Sequence, residues 1–472
     1  MYRIIIAAER TDIMENREEL EEKISQLLKE KRYHALKDLL SELEPADIGI
    51  MFEEMPSASL PLLFRLLAKE MAAEVFVELS SDTQELLIAG FSDVELKEVL
   101  DELYLDDTVD IIEEMPANVV KRILRHSDPE KRESINEILK YPKYSAGSIM
   151  TIEFVDLIKN MTVADAFTHI RRTGFDKETI YTCYVTDENR VLLGLVSVKD
   201  LLLAEETKVL EEIMETNIIY VNTLEDQETA AQNFERYDFL ALPVVDNENR
   251  LVGIITVDDA IDVIQEEATE DIEKMAAITP TDKPYMKTGV FETYKKRIPW
   301  LLLLMISATF TGGIISSFEN ALSSCVVLTA FIPMLMDTGG NSGGQASVTI
   351  IRSMSLGDVE MKDIFKVIWK EVRVAFFCGL TLGAANFIKM MVIDKGGIAA
   401  GGQNPLMVAL VVCSTLVITV IIAKMIGCTL PMLAKKIGFD PAVMASPFIT
   451  TIVDAVSLLV FFRIAVTVLH IG

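Results

Sequence analysis

Two periodicities divide this chain. Beyond residue 297 long apolar runs alternate with short charged ones, whereas before it apolar positions recur at helix or strand spacing. Crossing a bilayer takes about 20 mostly apolar residues. Such runs occupy 298–318, 321–351 with Asp337 inside it, 374–393, 396–423 with its helix continuing towards Pro431, and 441–469 with Asp454 and Arg463 inside it. The pattern predicts five spans. Upstream, 20–140 is leucine-rich, charged and helical in period, and Glu53-Glu54-Met55-Pro56 recurs as Glu113-Glu114-Met115-Pro116. An internal repeat of that kind predicts helical hairpins stacked into a small α-solenoid. Between 145 and 265 the period changes to that of strands, over Tyr181–Thr186 and Ala241–Val245, each followed by a charged turn and a second strand.

Charge sharpens the division. Residues 1–296 carry 32 basic and 63 acidic side chains, against 12 and 9 in 297–472. An upstream part of net −31 is a poor partner for nucleic acid, whose phosphates call for Lys and Arg, but it can concentrate cations. Lys295, Lys296 and Arg297 precede the first span; Arg352, Lys362, Lys366, Lys370 and Arg373 separate the second from the third; Lys435 and Lys436 separate the fourth from the fifth. The other side offers only Lys389 and Lys395. Positive loops face the cytoplasm, so the expected protein is a multi-pass cell-membrane protein with its N-terminus inside and its C-terminus outside. The opening apolar stretch is too short for a secretory signal. The five cysteines, four of them in apolar runs, are expected to be reduced packing residues.

Two places break the pattern of a plain apolar bundle. The stretch from Pro333 to Gln345 holds Gly339, Gly340, Gly343, Gly344, Asp337, Asn341 and Gln345. Glycine alone would suit close helix packing, but with the polar side chains the stretch is expected to be loosened backbone lining a pore, since freed backbone groups at membrane depth must face protein or a water-filled cavity. The second place is Asp454, 14 residues beyond Asp440. On one continuous helix that is roughly 21 Å. A carboxylate at such depth costs about 2.5–3.5 kcal/mol to insert, which marks it as functional. Ser446, Thr450 and Thr451 lie on or near its face, so an oxygen-lined stripe suited to hard cations is expected there.

Upstream, Gly194-Leu195-Val196-Ser197-Val198-Lys199-Asp200 recurs 59 residues later as Gly253-Ile254-Ile255-Thr256-Val257-Asp258-Asp259, and each copy opens with an Ile-Met pair, Ile149-Met150 and Ile213-Met214. Strand, turn, strand, then Ser/Thr-x-x-Asp at a helix start resembles a tandem cystathionine-β-synthase (CBS) domain pair. The hydroxyl and carboxylate would cap their helix in any case. As a binding site, the resemblance implies nucleotide held by Ser197, Lys199 and Asp200. Asp106, Asp107, Asp110, Glu113 and Glu114 form an acidic ridge, which is either a solvated face or a cation site. From Asp258 to Lys274 there are eight acids and one base, with Asp259, Asp262, Glu266, Glu270 and Glu273 on one helix face. Like charges so spaced destabilise a helix by roughly 0.2–0.5 kcal/mol per pair, and divalent cations would relieve them.

In this order, the helical repeat, CBS pair, acidic linker and five spans resemble the MgtE family of magnesium channels, most specifically in 333–345 and in Asp440-Pro441 through Asp454. The expected architecture is multidomain: a lead segment at 1–20, an all-α superhelical domain at 21–142, an α/β CBS pair at 143–205 and 206–257, an amphipathic linker or plug helix at 258–292, and an all-α five-span bundle at 293–472. The resemblance implies a homodimer with a pore on its two-fold axis. Asp454 would hold hydrated Mg²⁺ with Asn341, Ser446 and Thr450, supported by Gly339, Gly340 and Gln345. Asp259, Asp262, Glu267, Glu270 and Asp271 match the family's ion-binding positions on the plug helix, with Asp106 and Asp110 facing them as cytosolic sensors. The family often has Asn where this chain has Ser446, and some relatives have Arg where it has Lys199. The implied activity is Mg²⁺ uptake through a channel that cytosolic Mg²⁺ closes and ATP modulates. A proton- or ion-coupled carrier using Asp454 as its coupling site remains the alternative, and a non-transporting membrane sensor is a third. No enzyme motif (Walker A, His-Glu-x-x-His, Gly-x-Ser-x-Gly) occurs.

Overall fold

The computed structural model describes residues 19–470 apart from 282–284, 287, 401–402 and 445, with the side chains of 176, 400 and 446 also left out. Of the lead segment expected at 1–20, all but the last two residues lies outside the described ones. The chain divides into two units between Val263 and Ile264.

The first unit begins with short helices, from 19–29 through Pro129–Ile138, most of them near ten residues long. Proline opens Pro45–Glu54 and Pro129–Ile138, where its missing N–H costs nothing. Ser92 and Glu95 close a capping box at the start of Asp93–Glu102. The two Glu-Glu-Met-Pro copies end equivalent helices, Pro45–Glu54 at Met55 and Leu105–Glu114 at Met115. One core runs beneath all of them, including Phe52, Phe64, Phe76 and Phe91.

Two three-stranded sheets follow. β1 (Asp156–Ile158) pairs parallel with β2 (Thr182–Thr186), which pairs antiparallel with β3 (Leu192–Ser197); β4 (Val221–Asn222), β5 (Ala241–Val245) and β6 (Leu251–Thr256) repeat the order. The repeats are tied crosswise. Met150, which opens the first, lies where a Cβ on Gly253 of the second would meet its Sδ at 2.6 Å, and Met214 of the second faces Gly194 of the first at 2.7 Å. Backbone bridges Thr151–Ile254 and Leu195–Glu215 accompany the exchange. The recurring Ile-Met and Gly positions are therefore one packing device used twice.

Helix Val257–Met275 leaves β6 and crosses from the first unit into the second. In the second unit, Val290–Ser317, Pro405–Lys436 and Ser446–Leu469 are long apolar helices, as is the stretch containing Ile364–Lys389; among the described residues these four helical stretches are long and apolar enough to cross a membrane. Ile332–Ser355, the second of these long helices in chain order (Ile364–Lys389 being the third, Pro405–Lys436 the fourth and Ser446–Leu469 the fifth), is about 36 Å long, but its glycines and polar residues keep it outside that apolar class. It packs on the fourth and fifth helices, the fourth also packs on the third, and the first packs chiefly on the fifth. The first span starts earlier than its apolar run suggested and carries Pro299 inside it.

Two expectations are corrected here. The run 321–351 is not one loosened span: helix Glu319–Ser324 and a 3₁₀ turn Val326–Phe331 precede an unbroken helix Ile332–Ser355. The glycines do not free the backbone; they let helices touch. A Cβ on Gly427 of the fourth helix would fall within the van der Waals envelope of the Gly343 carbonyl oxygen. A Cβ on Gly339 or Gly340 would lie 2.9 Å from Val453 or 2.8 Å from Thr450 of the fifth helix. Gly427→Val should therefore force the second and fourth helices apart, costing on the order of 1–3 kcal/mol or more. Thermal unfolding in detergent would read this loss, with Gly313→Ala, where the added carbon meets open space, as an unaffected control. The other correction concerns the fifth helix. It begins at Ser446 after a 3₁₀ turn Pro441–Met444, so Asp454 lies about 12 Å from the helix start and does not share one helix with Asp440.

Candidate functional site

The acidic ridge is not simply a solvated face. Asp106, on helix Leu105–Glu114, is 5% exposed, and one carboxylate oxygen each from Asp106, Glu178 and Asp259 lie within 4.8 Å of one another. Three elements build this cluster. The backbone N–H of Leu105 donates to Glu153 (3.1 Å), and the N–H of Asp107 to the Asp106 carboxylate (2.9 Å), which fixes the start of the acidic helix. Glu178 sits in the loop before β2, its N–H on the Glu153 carbonyl (2.9 Å). Asp259 is held at the start of Val257–Met275 by the Thr256 hydroxyl and N–H, both donating to its Oδ2.

Electrostatics leave this cluster short of positive charge. Burial, reinforced by neighbouring carboxylates, pushes Asp106, Glu178 and Asp259 well above the usual carboxylate range, and Asp107 to about 7. Burial also lowers the nearby Lys131 ammonium, whose Nζ donates to the Leu100 carbonyl at 2.6 Å and to that of Leu103. Glu178 Oε2 is buried without a hydrogen-bond partner among the described residues. A divalent cation fits this donor set. Oxygens up to 4.8 Å apart suit an ion that keeps part of its water shell, as Mg²⁺ does with its first shell at about 2.1 Å.

Of the sequence candidates, Asp106 and Asp259 come together here, with Glu178 as an addition. Asp110, partly open to solvent, borders the cluster: burial, then Asp259 and Asp106, push its carboxylate up to about 8. Asp262 is exposed, and Glu267 and Asp271 are half-buried farther along Val257–Met275. Glu270 accepts from Lys274 Nζ at 2.6 Å. Glu178 gave no signal in the sequence because it lies in a loop, where no periodicity sets which way a side chain faces.

The duplicated Ser/Thr-x-x-Asp motif serves two ends. In the second repeat it delivers Asp259 to the cluster. In the first, Ser197 and Asp200 satisfy one another as a capping box on the short helix Val198–Leu203, with Lys199 and Asp200 exposed.

In the second unit, helix Ile332–Ser355 splits its polar and glycine positions between two faces. Gly339, Gly340, Gly343 and Gly344 are buried in the bundle, while Asp337, Asn341 and Gln345, four residues apart, form an exposed stripe in which Asn341 Nδ2 donates to Asp337 at 3.0 Å. Asp454 lies on the fifth helix, one residue beyond the Val453 that packs on Gly339 and Gly343, and its Oδ1 is buried without a hydrogen-bond partner among the described residues. Thr450 packs on Gly340, and the side chain of Ser446 lies outside the described ones. One charged pair was not anticipated: Lys424 and Glu371, 7% and 12% exposed, approach to 3.7 Å between the fourth and third helices. Glu371 precedes the apolar run 374–393 and Lys424 follows 396–423, and helices Ile364–Lys389 and Pro405–Lys436 extend over both.

Family models match the chain along most of its length: a divalent cation transporter domain over 332–464, the MgtE intracellular N domain over 43–144, and CBS domains over 146–206 and 210–266. The chain is 35% identical to the magnesium transporter MgtE of Thermus thermophilus, covering 95% of this chain and 98% of that protein. It is 33% identical to the magnesium transporter MgtE of Bacillus subtilis, covering 94% and 96% respectively. Among solved structures, the soluble part of a magnesium transporter superposes with a TM-score of 0.50 at 31% identity, over 53% of this chain and 99% of that one.

Proposed function

We propose that this chain, which belongs to the MgtE family of magnesium transporters, is a Mg²⁺ channel for uptake that closes when cytosolic Mg²⁺ binds its acidic upstream part. The observation that carries the proposal is the cluster of buried Asp106 with half-buried Glu178 and Asp259, because Asp259 stands on the helix that continues into the second unit. An ion on that cluster has a covalent route by which to act on the spans. Without an ion, carboxylates this close repel, and the helical domain and CBS pair are driven apart. With Mg²⁺ bound they are drawn together, and Val257–Met275 acts as the plug. Asp262, Glu267, Glu270, Asp271 and Asp110 add weaker sites to the same response. A response at millimolar Mg²⁺ is better served by several weak sites than by one tight one.

In the spans, Asp454 is the pore carboxylate, with Thr450, Ser446 and Asn341 as oxygen ligands to hydrated Mg²⁺. Gly339 and Gly340 hold the second helix against the fifth, and Gln345 extends the exposed stripe. On this reading five spans put the termini on opposite sides of the membrane, the basic loops assign the N-terminus to the cytoplasm, and two protomers pair so that their stripes and Asp454 residues share the two-fold axis. ATP is assigned as a regulatory ligand at Ser197, Lys199 and Asp200.

The deciding experiment is a patch recording from membranes expressing the chain, with Mg²⁺ as the sole permeant cation and cytosolic Mg²⁺ raised from near zero to millimolar levels. Unitary currents that fade as cytosolic Mg²⁺ rises are expected. Mg²⁺ uptake into liposomes without unitary currents, following an imposed pH gradient, would instead make the protein a carrier with Asp454 as its coupling site.

A further inference from the structure

Lys274 is the lone base in the linker stretch 258–274, among eight acids. Its ammonium lies 2.6 Å from Glu270 Oε1, one turn back on its own helix, and 2.6 Å from Asp440 Oδ2, 166 residues further along the chain. The other oxygen of Asp440 accepts the N–H of Ala442 at 2.8 Å, so Asp440 also fixes the 3₁₀ turn Pro441–Met444 that leads into the fifth helix. The ammonium therefore bridges the end of the linker helix to the base of the helix that carries Asp454.

Neighbouring contacts seat the same end. Met275 packs on Ile351 and Ala442, Thr281 N–H donates to Glu273 at 2.8 Å, and Lys296 Nζ donates to the Pro280 carbonyl at 2.8 Å. Burial alone would make Lys274 easier to deprotonate, but the hydrogen bonds it donates to Asp440 and Glu270 outweigh it and hold the ammonium charged.

We propose that Lys274 is a tethered cation that latches the linker helix to the base of the fifth helix, holding it seated without any divalent ion by pairing with Glu270 and Asp440 at once. The latch rests on the channel reading only for its effect on current; the seating itself is a property of this chain. A fixed charge that favours one of two states biases their populations without a ligand. The seated state thus has two sources of stability, one built in and one that varies with Mg²⁺. Without the ammonium, Glu270 and Asp440 face one another uncompensated, and seating becomes wholly dependent on divalent ions.

Disulfide crosslinking of the full chain, with Met275→Cys and Ala442→Cys on the two sides of the contact, reads seating directly in Mg²⁺-free membranes. Lys274→Met should reduce the crosslinked fraction about fivefold, the effect of losing a partly buried ion pair. Lys274→Arg should keep it, and millimolar Mg²⁺ should restore it in Lys274→Met. In patches, Lys274→Met should shift the Mg²⁺ concentration for half-closure upward by a similar factor and steepen the response. Equal crosslinking with methionine and lysine in the absence of Mg²⁺ would overturn the latch. Currents that ignore Mg²⁺ in the unaltered chain would sink the gating proposal, yet the crosslinking would still decide the latch.

Discussion

Asp454→Ala should abolish unitary Mg²⁺ currents while leaving a folded, membrane-inserted protein. Asp454 is placed by its helix neighbours: Val453 packs on Gly339 and Gly343, and Thr450 on Gly340, so the fifth helix keeps its seat without the carboxylate. Its Oδ1 is buried and unpaired among the described residues, which a carboxylate serving structure alone would not be. A charge kept at about 2.5–3.5 kcal/mol of insertion cost needs a compensating partner, and a passing cation supplies one. Losing a charged ligand from such a desolvated site costs on the order of 2–5 kcal/mol, so a fall of about a hundredfold or more in Mg²⁺ current is expected. Asp454→Asn, which keeps shape and removes charge, should behave like alanine. Wild-type currents in either variant would mean that ions pass elsewhere.

The second large effect is expected on closure. Combining Asp106→Asn, Glu178→Gln and Asp259→Asn removes the charges that a cytosolic ion would bind, and should leave channels open at Mg²⁺ levels that close the unaltered protein. Moving a gate from 1:99 to 99:1 takes about 5.5 kcal/mol of differential binding. Losing the buried cluster should therefore raise the half-closing concentration about tenfold or more, with the weaker acidic sites accounting for any remainder. An unchanged half-closing concentration would remove the cluster from the gating scheme.

The same carboxylates predict a pH dependence. Burial and mutual repulsion raise their pKa above the unfolded value, that of Asp106 to about 7 and that of Asp259 to about 8, so the folded state binds more protons than the unfolded one. Their contribution to stability is complete below the unfolded pKa and is lost as pH rises through the folded value. In Mg²⁺-free detergent, the unfolding temperature of the full chain should therefore fall between about pH 5 and about pH 8. Saturating Mg²⁺ should flatten that fall, and so should the triple substitution, which also removes the repulsion and should melt higher in Mg²⁺-free buffer at the upper pH. A steep fall in the triple variant would assign the pH dependence to other groups.

In the sequence, Asp106 and Asp259 stand out by their acidic surroundings and Asp454 by the apolar run around it. The missing members each had a physical reason to stay hidden. Glu178 lies in a loop with no period to orient it. Lys424 and Glu371 fell just outside spans judged by hydropathy alone, although a buried pair can lie inside one when each charge faces the other. The glycines of 339–344 carried two readings, close packing and loosened backbone, and composition could not choose between them. The helix is unbroken, and Gly339, Gly340 and Gly343 each bring it within about 3 Å, measured from where a Cβ would stand, of a neighbouring helix.

By itself, then, the sequence determined what is local: the order of segments, the period of each, the duplicated turns and caps, and the charge that separates an acidic upstream part from an apolar bundle. Those follow from side-chain spacing along one helix or strand, and spacing is written in the chain. Tertiary structure alone decided which distant charges meet: Asp106 with Glu178 and Asp259, Lys274 with Asp440, and Lys424 with Glu371. The reason is that the energy of a charge depends on what shares its low-dielectric surroundings, and that is fixed only when separate elements pack together.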